Sequence, residues 1–298
     1  MSRLWEPALV SCDLDQSPSE DRPSRVVPRC ATTFVTQYFH IPSKHGFDEY
    51  VQWIQSMPPV CLVVFTDTPL LWKISDYTIV VETSLCREAS FLNRSSCFWR
   101  EQWYQDPEAI IHRGFLLYLT WNLKARFLSR AVEWNLYDSD FFFWVDAGYA
   151  RVPLIGDGRG LLPRIDPARM HFLLVNPFTR VELEGNFRYT VGWDRLACNL
   201  FGGHRAAVRV WARLYYQVLQ EYVDRGWFVG KDQNLINSLC VQHPSLCLVV
   251  DPRLGSHVNP WFSLWGWLLG QHSYSVLQMN ETVMPSAWSL GVTLWTGF

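Results

Sequence analysis

The sequence has few of the features that mark membrane, zinc-finger or nucleic-acid-binding proteins. Its apolar runs stay below the roughly 18 residues that a membrane-spanning helix needs. Lys and Arg number 26 against 28 Asp and Glu, and the net charge of −2 gives no basic surface for nucleic acid. No Cys-x-x-Cys pair, Walker loop or strand-to-helix dinucleotide fingerprint occurs. We therefore expect no transmembrane segment and no nucleic-acid partner.

The N-terminal residues also lack the apolar stretch of a signal peptide. This absence predicts a cytoplasmic protein by default and leaves the secretory pathway open. Of the eight cysteines, Cys61 and Cys247 lie in apolar runs, where cysteine packs as a small core residue. Reduced thiols are favoured there, and disulfides stay open for the other six. Asn93-Arg94-Ser95 and Asn280-Glu281-Thr282 match the N-glycosylation pattern, which carries meaning only in a secretory context.

Apolar and aromatic residues are abundant instead. Hydrophobic residues make up 49% of the 298 residues, which is enough for one large core. Residues 1–30 mix Pro, Ser and charges and are predicted to form a flexible leader, and residues 31–298 a single domain. The 16 Trp residues either fill the core or stack on sugars. A Trp-rich segment from about residue 260 is too short to span a membrane, and it predicts core packing or, alternatively, peripheral membrane contact.

Strand-like and helix-like segments alternate from residue 31 onward. The β-rich runs are TTFVTQYF, VCLVVFTD, YTIVVE, DFFFWVD, HFLLV and LCLVV. Helical patterns begin at Phe47, at Asp106-Pro107, where an N-cap residue precedes a proline, and after Gly203. This alternation predicts an α/β fold with a mostly parallel central sheet and helices on both faces.

The run DFFFWVDAG, residues 140–148, ends a buried strand in an acid. Asp146 either forms the turn after the strand or holds a ligand at the rim of the sheet, where open α/β sheets bind ligands. A carboxylate at that place suits Mg²⁺ or Mn²⁺, which take one or two carboxylates and complete their shells with substrate phosphates. Gly148 follows and permits close approach of the backbone.

A lysine interrupts the apolar stripe of the helix before that strand. Because Lys124 lies on the buried face, its ammonium must find an anion or extend to solvent. One interpretation is a local pair with Glu133 or Asp138, and the other is a phosphate at the rim of the sheet. Arg151, five residues after Asp146, is a candidate second cation at the same rim.

Two later segments have residues that either bind a ligand or simply begin a helix. Gly202 and Gly203 precede a helix, where they form a tight turn or expose N–H groups that bind an anion or a sugar hydroxyl. Asp232 stands near the start of the next helix, with Gln233 beside it. Asp232 either caps the helix or is a carboxylate whose pKa the helix N-terminus lowers, which suits sugar binding or general-base chemistry.

The order of these segments resembles the HtrL/YibB family of glycosyltransferases. The resemblance runs from about Thr32 to about Pro252, and its most specific parts are WNLKARFLSRAVEWN, FFFWVDAG and FVGKDQ. It implies a GT-A-like, Rossmann-related fold of the nucleotide-diphospho-sugar transferases. It also implies a donor such as a UDP-sugar and Mn²⁺ or Mg²⁺ as the cofactor.

Three kinds of contact follow from the residues and the resemblance together. The residues expected to bind the donor are Tyr38, Thr66, Asp67, Lys124, Arg151, Gly202 and Gly203. The expected catalytic residues are Asp232 and Gln233, which match an Asp-Gln segment at the donor sugar. The expected metal ligands are Asp146 and His257. Gly148 stands where GT-A enzymes have the second acid of their Asp-x-Asp metal motif, which is a departure from that motif, and the HtrL/YibB pattern also has Asp-Ala-Gly here.

The expected reaction transfers a sugar from this donor to a glycan or another hydroxyl acceptor. A cation held at Asp146 would stabilise the negative charge on the leaving diphosphate. Two alternatives stay open. One is a non-catalytic glycan-binding protein on the same scaffold, and the other is a metal-dependent hydrolase of nucleotide-sugars. The sequence does not choose between inversion and retention at the sugar carbon.

Overall fold

The described part of the chain forms one eight-stranded sheet with helices on both faces. The computed structural model describes residues 22–23, 28–72, 76–154, 156, 166–184, 194–252, 260–270 and 274–282. The strands are β1 (Thr32–Tyr38), β2 (Leu62–Thr66), β3 (Thr78–Glu82), β4 (Phe141–Val145), β5 (Met170–Leu174), β6 (Leu196–His204), β7 (Cys247–Asp251) and β8 (Ser275–Leu277). The helices are α1 (Phe47–Gln55), α2 (Leu85–Ala89), α3 (Ser96–Gln105), α4 (Ala109–His112), α5 (Leu116–Trp134), α6 (Arg180–Leu183), α7 (Arg205–Asp224), α8 (Asp232–Gln242) and α9 (Ser263–Leu268). Most of the leader predicted for residues 1–30 lies outside the described residues.

The strand order is β3-β2-β1-β4-β6-β5-β7-β8. The parallel neighbours are β3 with β2, β2 with β1, β1 with β4, and β5 with β7. β6 runs antiparallel to both β4 and β5, and β8 runs antiparallel to β7. The predicted α/β architecture with a mostly parallel sheet is therefore confirmed, and β6 and β8 are strands that the sequence pattern does not predict.

Apolar side chains cover both faces of the sheet. On one face, Phe142 and Trp144 of β4 belong to the core that includes α5, α7 and α8. On the other face, Phe143 and Val145 belong to a second core that includes residues of α1 and α9. Because every residue of β4 is buried, its sequence shows no alternation of polar and apolar residues.

The Trp-rich segment packs in the second core where it is described. Trp265 and Trp267 of α9 are buried, and Trp265 contacts the ring of Phe34 on β1 with a centroid distance of 5.4 Å. For these residues, core packing is the correct interpretation of the apolar run. Among the described helices, none is both long and apolar enough to cross a membrane.

The helix predicted to begin at Asp106-Pro107 starts later and is shorter. α3 ends directly before Asp106, whose carboxylate accepts the N–H of Glu108 at 2.9 Å within a turn. α4 then has only four residues, because Arg113 and Gly114 turn the chain with φ angles of 54° and 147°. Glycine reaches such angles without steric cost, and the chain returns to helix in α5.

Gly202 and Gly203 lie inside β6, so the turn predicted at this point is wrong. A Cβ on Gly202 would lie 2.2 Å from the carbonyl oxygen of Phe142, and one on Gly203 would lie 2.4 Å from that of Arg169. The two glycines therefore allow the neighbouring backbones to approach β6 closely. The helix start was predicted correctly, since α7 follows β6 directly and His204 is its N-cap.

Two disulfides connect four of the described cysteines, Cys30 with Cys61 and Cys240 with Cys247. Cys30 and Cys61 precede the parallel neighbours β1 and β2, so their Cα atoms lie only 6.5 Å apart. The reduced thiols expected for Cys61 and Cys247 are therefore wrong. Burial in an apolar strand start does not exclude a disulfide when the fold brings a second cysteine to the same place.

The buried residue His171 on β5 is held as a neutral imidazole. Its Nδ1 donates to the carbonyl of Gly202 at 3.3 Å, and its Nε2 accepts the N–H of Asp166 at 3.1 Å. A proton on Nε2 would remove the second hydrogen bond. Burial accordingly lowers the pKa of His171 to about 4 from an ordinary value of 6.5.

We predict that stability falls as the pH falls from 6.5 to 4 because of His171. In this window the unfolded chain binds a proton that the folded chain does not, so the stabilisation is present above pH 6.5 and is lost toward pH 4. The expected loss is about 3 kcal/mol, measured by urea unfolding at several pH values. His171→Gln should flatten this part of the pH dependence, whereas His40→Gln, at an exposed histidine, should not. An unchanged slope in His171→Gln would contradict the prediction.

Candidate functional site

The candidate site lies at the carboxyl edge of the sheet, between β1 and β4. The chain continues from β1 to β2 and β3 on one side, whereas the strands after β4 lie on the other side. β1 and β4 are parallel, so Tyr38 at the end of β1 and Asp146 after β4 reach the same edge. Open α/β sheets bind their ligands at such a point, because the connections diverge and leave a crevice.

An open cleft occupies this crevice. Its polar lining includes Gln37, Lys124, Asp146, Arg151 and Asn199. Its aromatic lining includes Tyr38, Tyr50, Trp53, Trp121 and Phe262.

Three residues that are distant in the sequence form a buried ion triad on one wall of the cleft. The Lys124 ammonium lies 3.0 Å from Asp146 Oδ1 and 2.9 Å from Asp232 Oδ2. It also donates to the carbonyl of Cys198 at 2.9 Å, so three protein oxygens lie within 3.0 Å of the ammonium. The expected local pair on its own helix is wrong, because Lys124 faces the strand ends. Its contact with a phosphate stays a prediction.

One ammonium faces two carboxylates in the triad, and this imbalance shifts the pKa values. Burial lowers the pKa of Lys124, but Asp146 and Asp232 outweigh burial and hold it above its ordinary value. Burial raises the pKa of Asp232, and the charge of Asp146 adds to this although Lys124 opposes it. The lowered pKa expected for Asp232 is therefore wrong, because the cost of burial exceeds the effect of the helix N-terminus.

Asp146 is the member of the triad that reaches the cleft. Its side chain is 33% exposed, against 7% for Asp232. Its Oδ1 accepts both the Trp144 indole N–H, at 2.7 Å, and the Lys124 ammonium, and these two contacts leave Oδ2 for a ligand. Its backbone N–H donates to the carbonyl of Asn199 at 2.8 Å. The carboxylate is therefore held in one orientation before any ligand binds.

An aromatic wall explains the glycine at position 148. A Cβ on Gly148 would lie 3.3 Å from the Trp53 ring and 3.5 Å from the Tyr50 ring. Trp53 is itself packed edge-on against Tyr50 and His45, with centroid distances of 5.2 and 4.9 Å. A side chain at this position would be in tight contact with the Trp53 ring, so glycine allows the ring to pack close to the backbone.

Neighbouring contacts hold Asp232 in the triad. Lys231, directly before it, pairs with the buried carboxylate of Asp106 at 3.4 Å. Asn122, on α5 close to Lys124, donates through its amide to the carbonyl of Gly230 at 3.2 Å. A Cβ on Gly230 would lie only 2.5 Å from a neighbouring aromatic ring, so glycine is required for this close approach. These contacts explain why glycine, lysine and aspartate follow one another in the FVGKDQ segment.

Arg151 brings a second cation to the cleft. Its guanidinium lies over the Phe262 ring, with Cζ 4.7 Å from the centroid, and 3.4 Å from His45 Nε2. Burial lowers the pKa of His45 and the charge of Arg151 lowers it further, so this histidine is neutral at pH 7. The structure thus brings Lys124, Asp146 and Arg151 to one cleft.

The other three residues expected to contact the nucleotide are divided between the cleft and its surroundings. Tyr38 lines the cleft, and burial raises its pKa to about 12. Thr66 is buried outside the cleft, with its hydroxyl 3.0 Å from that of Thr68. Asp67 is exposed, also outside the cleft lining, and its carboxylate accepts the N–H of His40 at 3.1 Å.

The remaining predicted residues lie away from the cleft lining. Gln233 is buried, and its amide donates to the carbonyl of Leu196, which connects α8 to β6. Gly202 and Gly203 lie toward the opposite edge of the sheet, because Gly203 pairs with Phe142 near the start of β4. His257 lies outside the described residues.

Several cleft residues have no sequence signal that marks them as functional. Gln37 Oε1 and Asn199 Oδ1 are buried acceptors without a hydrogen-bond partner among the described residues. Such atoms are available to hydroxyl or N–H donors of a ligand or of water. Tyr50 and Trp121 are equally missed, because their helical spacing is the same as that of ordinary core residues.

For a divalent cation, the site offers one carboxylate oxygen that has no other contact among the described residues, Oδ2 of Asp146. Gly148 offers no ligand, and no group of three or more His, Cys, Asp or Glu side chains occurs within the described ranges. Mg²⁺ accepts one or two carboxylates when substrate phosphates and water complete its shell. The residues therefore fit a cation that binds together with a diphosphate rather than a permanently held ion.

Comparisons with known proteins leave the site to be interpreted from its own geometry. No protein-family model matches the chain, and no curated protein matches it either.

We predict that Lys124→Met lowers the free energy of unfolding by about 3–5 kcal/mol. The substitution leaves two carboxylates on the wall without their buried counter-charge. Asp232→Asn in the Lys124→Met background should recover part of this loss, since a neutral amide no longer repels Asp146. Urea unfolding of the two single variants and the double variant measures the coupling.

Lys44→Met is the matched control for this cycle, because Lys44 is exposed. We expect it to change stability by less than about 0.5 kcal/mol. If the effects of Lys124→Met and Asp232→Asn are simply additive, the ion triad does not have the energetic role assigned to it.

Proposed function

We propose that the chain is a glycosyltransferase with a GT-A-like fold. Its donor is a nucleotide-diphospho-sugar of the UDP-sugar class, and its acceptor is a hydroxyl group of a glycan or another molecule. The observation that carries this proposal is the ion triad of Lys124, Asp146 and Asp232 in an open cleft between β1 and β4. The resemblance to the HtrL/YibB family supplies the reaction class.

The sheet supports a nucleotide at this place. Its order β3-β2-β1-β4 is the one with which dinucleotide-binding Rossmann sheets begin. In that arrangement the phosphates bind at the carboxyl edge, beside the first strand. Tyr38 and the residues after Asp146 occupy this edge. Fold alone does not assign an activity, so the chemistry of the side chains must carry the rest.

A count of charges supports the participation of a divalent cation. The triad has one ammonium and two carboxylates, which leaves one negative charge when both acids are ionised. Arg151 cancels that charge, so the wall is neutral. A diphosphate placed against a neutral wall keeps its own negative charges, and Mg²⁺ or Mn²⁺ at Asp146 Oδ2 would compensate for them. The cation would also stabilise the charge that develops on the leaving diphosphate.

The burial of Asp232 separates its role from that of Asp146. Asp232 lies behind Lys124, does not line the cleft and is only 7% exposed in its side chain. We therefore infer that Asp232 is a positioning residue that acts through Lys124. Gln233, the next residue, donates to the carbonyl of Leu196 and so anchors the start of α8 to β6. This removes Asp232 from the general-base role, which an acceptor hydroxyl would have to reach directly.

A second candidate function is glycan binding without catalysis. The observation that favours it is the aromatic lining of the cleft, in which Tyr50, Trp53 and Trp121 offer flat apolar surfaces. Sugars stack on such rings through their apolar faces. The two candidates differ in a simple way, because a glycan-binding cleft has no requirement for a nucleotide.

We predict that UDP with Mn²⁺ stabilises the protein against thermal unfolding and that EDTA abolishes this effect. Ligand at about 100 times its dissociation constant adds ~2.7 kcal/mol, which is a shift of a few degrees. Asp146→Asn should remove the Mn²⁺-dependent part. This variant should stay folded, because Lys124 and Asp232 remain as a balanced ion pair.

Asp140→Asn is the matched control, because Asp140 precedes the same strand at its opposite end and is exposed. It should leave the UDP shift unchanged. No shift with UDP or other nucleoside diphosphates would overturn the proposal. A shift with oligosaccharides alone would favour glycan binding, and steady release of free sugar without an acceptor would favour a hydrolase.

A further inference from the structure

Two segments with the N-glycosylation pattern lie on the surface outside the cleft. Asn93 of Asn93-Arg94-Ser95 is exposed between α2 and α3, and it has a positive φ of 48°. Asn280 of Asn280-Glu281-Thr282 is exposed in a single helical turn after β8. Both side-chain amides are therefore on surfaces where a bulky substituent can extend into solvent.

The cysteines provide an independent indication of the compartment. The described residues contain the disulfides Cys30–Cys61 and Cys240–Cys247. Disulfides persist in oxidising compartments, whereas reductants of the cytosol keep thiols reduced. The same compartments of eukaryotic cells carry out N-glycosylation. The pattern at Asn93 and Asn280 thus gains the secretory context that the sequence alone does not provide.

We propose that Asn93 and Asn280 are N-glycosylation sites and that the chain matures in the oxidising lumen of the secretory pathway. In the modification, Nδ2 of each asparagine bonds to C1 of an oligosaccharide and loses a proton. The bond between C1 and a lipid-linked diphosphate breaks, and the lipid diphosphate leaves with the electron pair. The disulfides form by exchange with an oxidised dithiol protein, which leaves reduced. This inference does not depend on the proposed activity.

The fold accommodates both glycans. Neither Asn93 nor Asn280 lines the cleft, so neither glycan would be attached within it. Asn280 follows β8, the last strand at one edge of the sheet, where Val276 is 45% exposed. Exposed edge strands are sites of association between chains. A hydrophilic glycan next to β8 would cover this edge, which gives the modification a physical role.

The experiment compares the full chain produced behind a cleavable secretion leader in eukaryotic cells with the same chain produced in a reducing cytosol. Peptide mass spectrometry, with and without an amidase that removes N-glycans, reads the occupancy of Asn93 and Asn280. Asn93→Gln and Asn280→Gln each remove one site. Ser95→Thr and Thr282→Ser are matched controls, because they retain the acceptor pattern and a hydroxyl at the same position. A thiol-alkylating reagent applied to the unfolded, unreduced chain maps the cysteines.

We expect the secreted chain to carry a glycan at each site, and each Asn→Gln variant to lose one of them. Both hydroxyl controls should keep two glycans. Alkylation should reach Cys97 and Cys198, the free thiols of the described residues, and should reach the four cysteines of Cys30–Cys61 and Cys240–Cys247 only after reduction. The cytosolic chain should have a lower melting temperature than the secreted chain. A folded secreted chain without glycans, or one in which all four cysteines of these two disulfides react without reduction, would overturn the proposal.

Discussion

The buried ammonium of Lys124 is the constraint on which the site depends. A charge removed from water must find counter-charges in the protein, and here they come from the end of β4 and the start of α8. Three elements that are far apart in the chain must therefore meet in one arrangement. The same contact orients Asp146, because Lys124 and the Trp144 indole hold one of its oxygens and leave the other toward the cleft. Stability and the geometry of the candidate site thus have one physical origin.

The wall of the cleft beside this triad has a glycine and an aromatic ring where an Asp-x-Asp site has a second carboxylate. Gly148 allows the Trp53 ring to pack close to the backbone at the position where an Asp-x-Asp motif has its second acid. The wall consequently has less negative charge and more flat apolar surface than a two-carboxylate metal site. A cation at Asp146 would depend on phosphate oxygens for most of its shell. In the proposed function this couples metal binding to nucleotide binding, and the aromatic rings would contact the sugar of the same ligand.

Much of the fold follows from sequence patterns, and the failures have identifiable physical reasons. The six predicted runs correspond to β1 to β5 and β7, and all of these except β3 are buried along their whole length. β6 is not predicted, because Gly202 and Gly203 are typical of turns. Glycine is needed inside this strand because the neighbouring backbones lie very close to it. The disulfide of Cys61 is not predicted either, because the parallel pairing of β1 and β2, and not the local run, brings Cys30 near.

The sequence by itself determined the α/β class, the strand end at Asp146 and the presence of a lysine on a buried helix face. These properties depend on local patterns of hydrophobicity and on the positions of single charged residues within them. Only the tertiary structure decided which anions Lys124 meets, that Asp146 reaches the cleft while Asp232 stays behind it, and that burial raises the pKa of Asp232. The reason is that distances between side chains on different elements, and their exposure to water, are set by packing and strand order, which no local pattern contains.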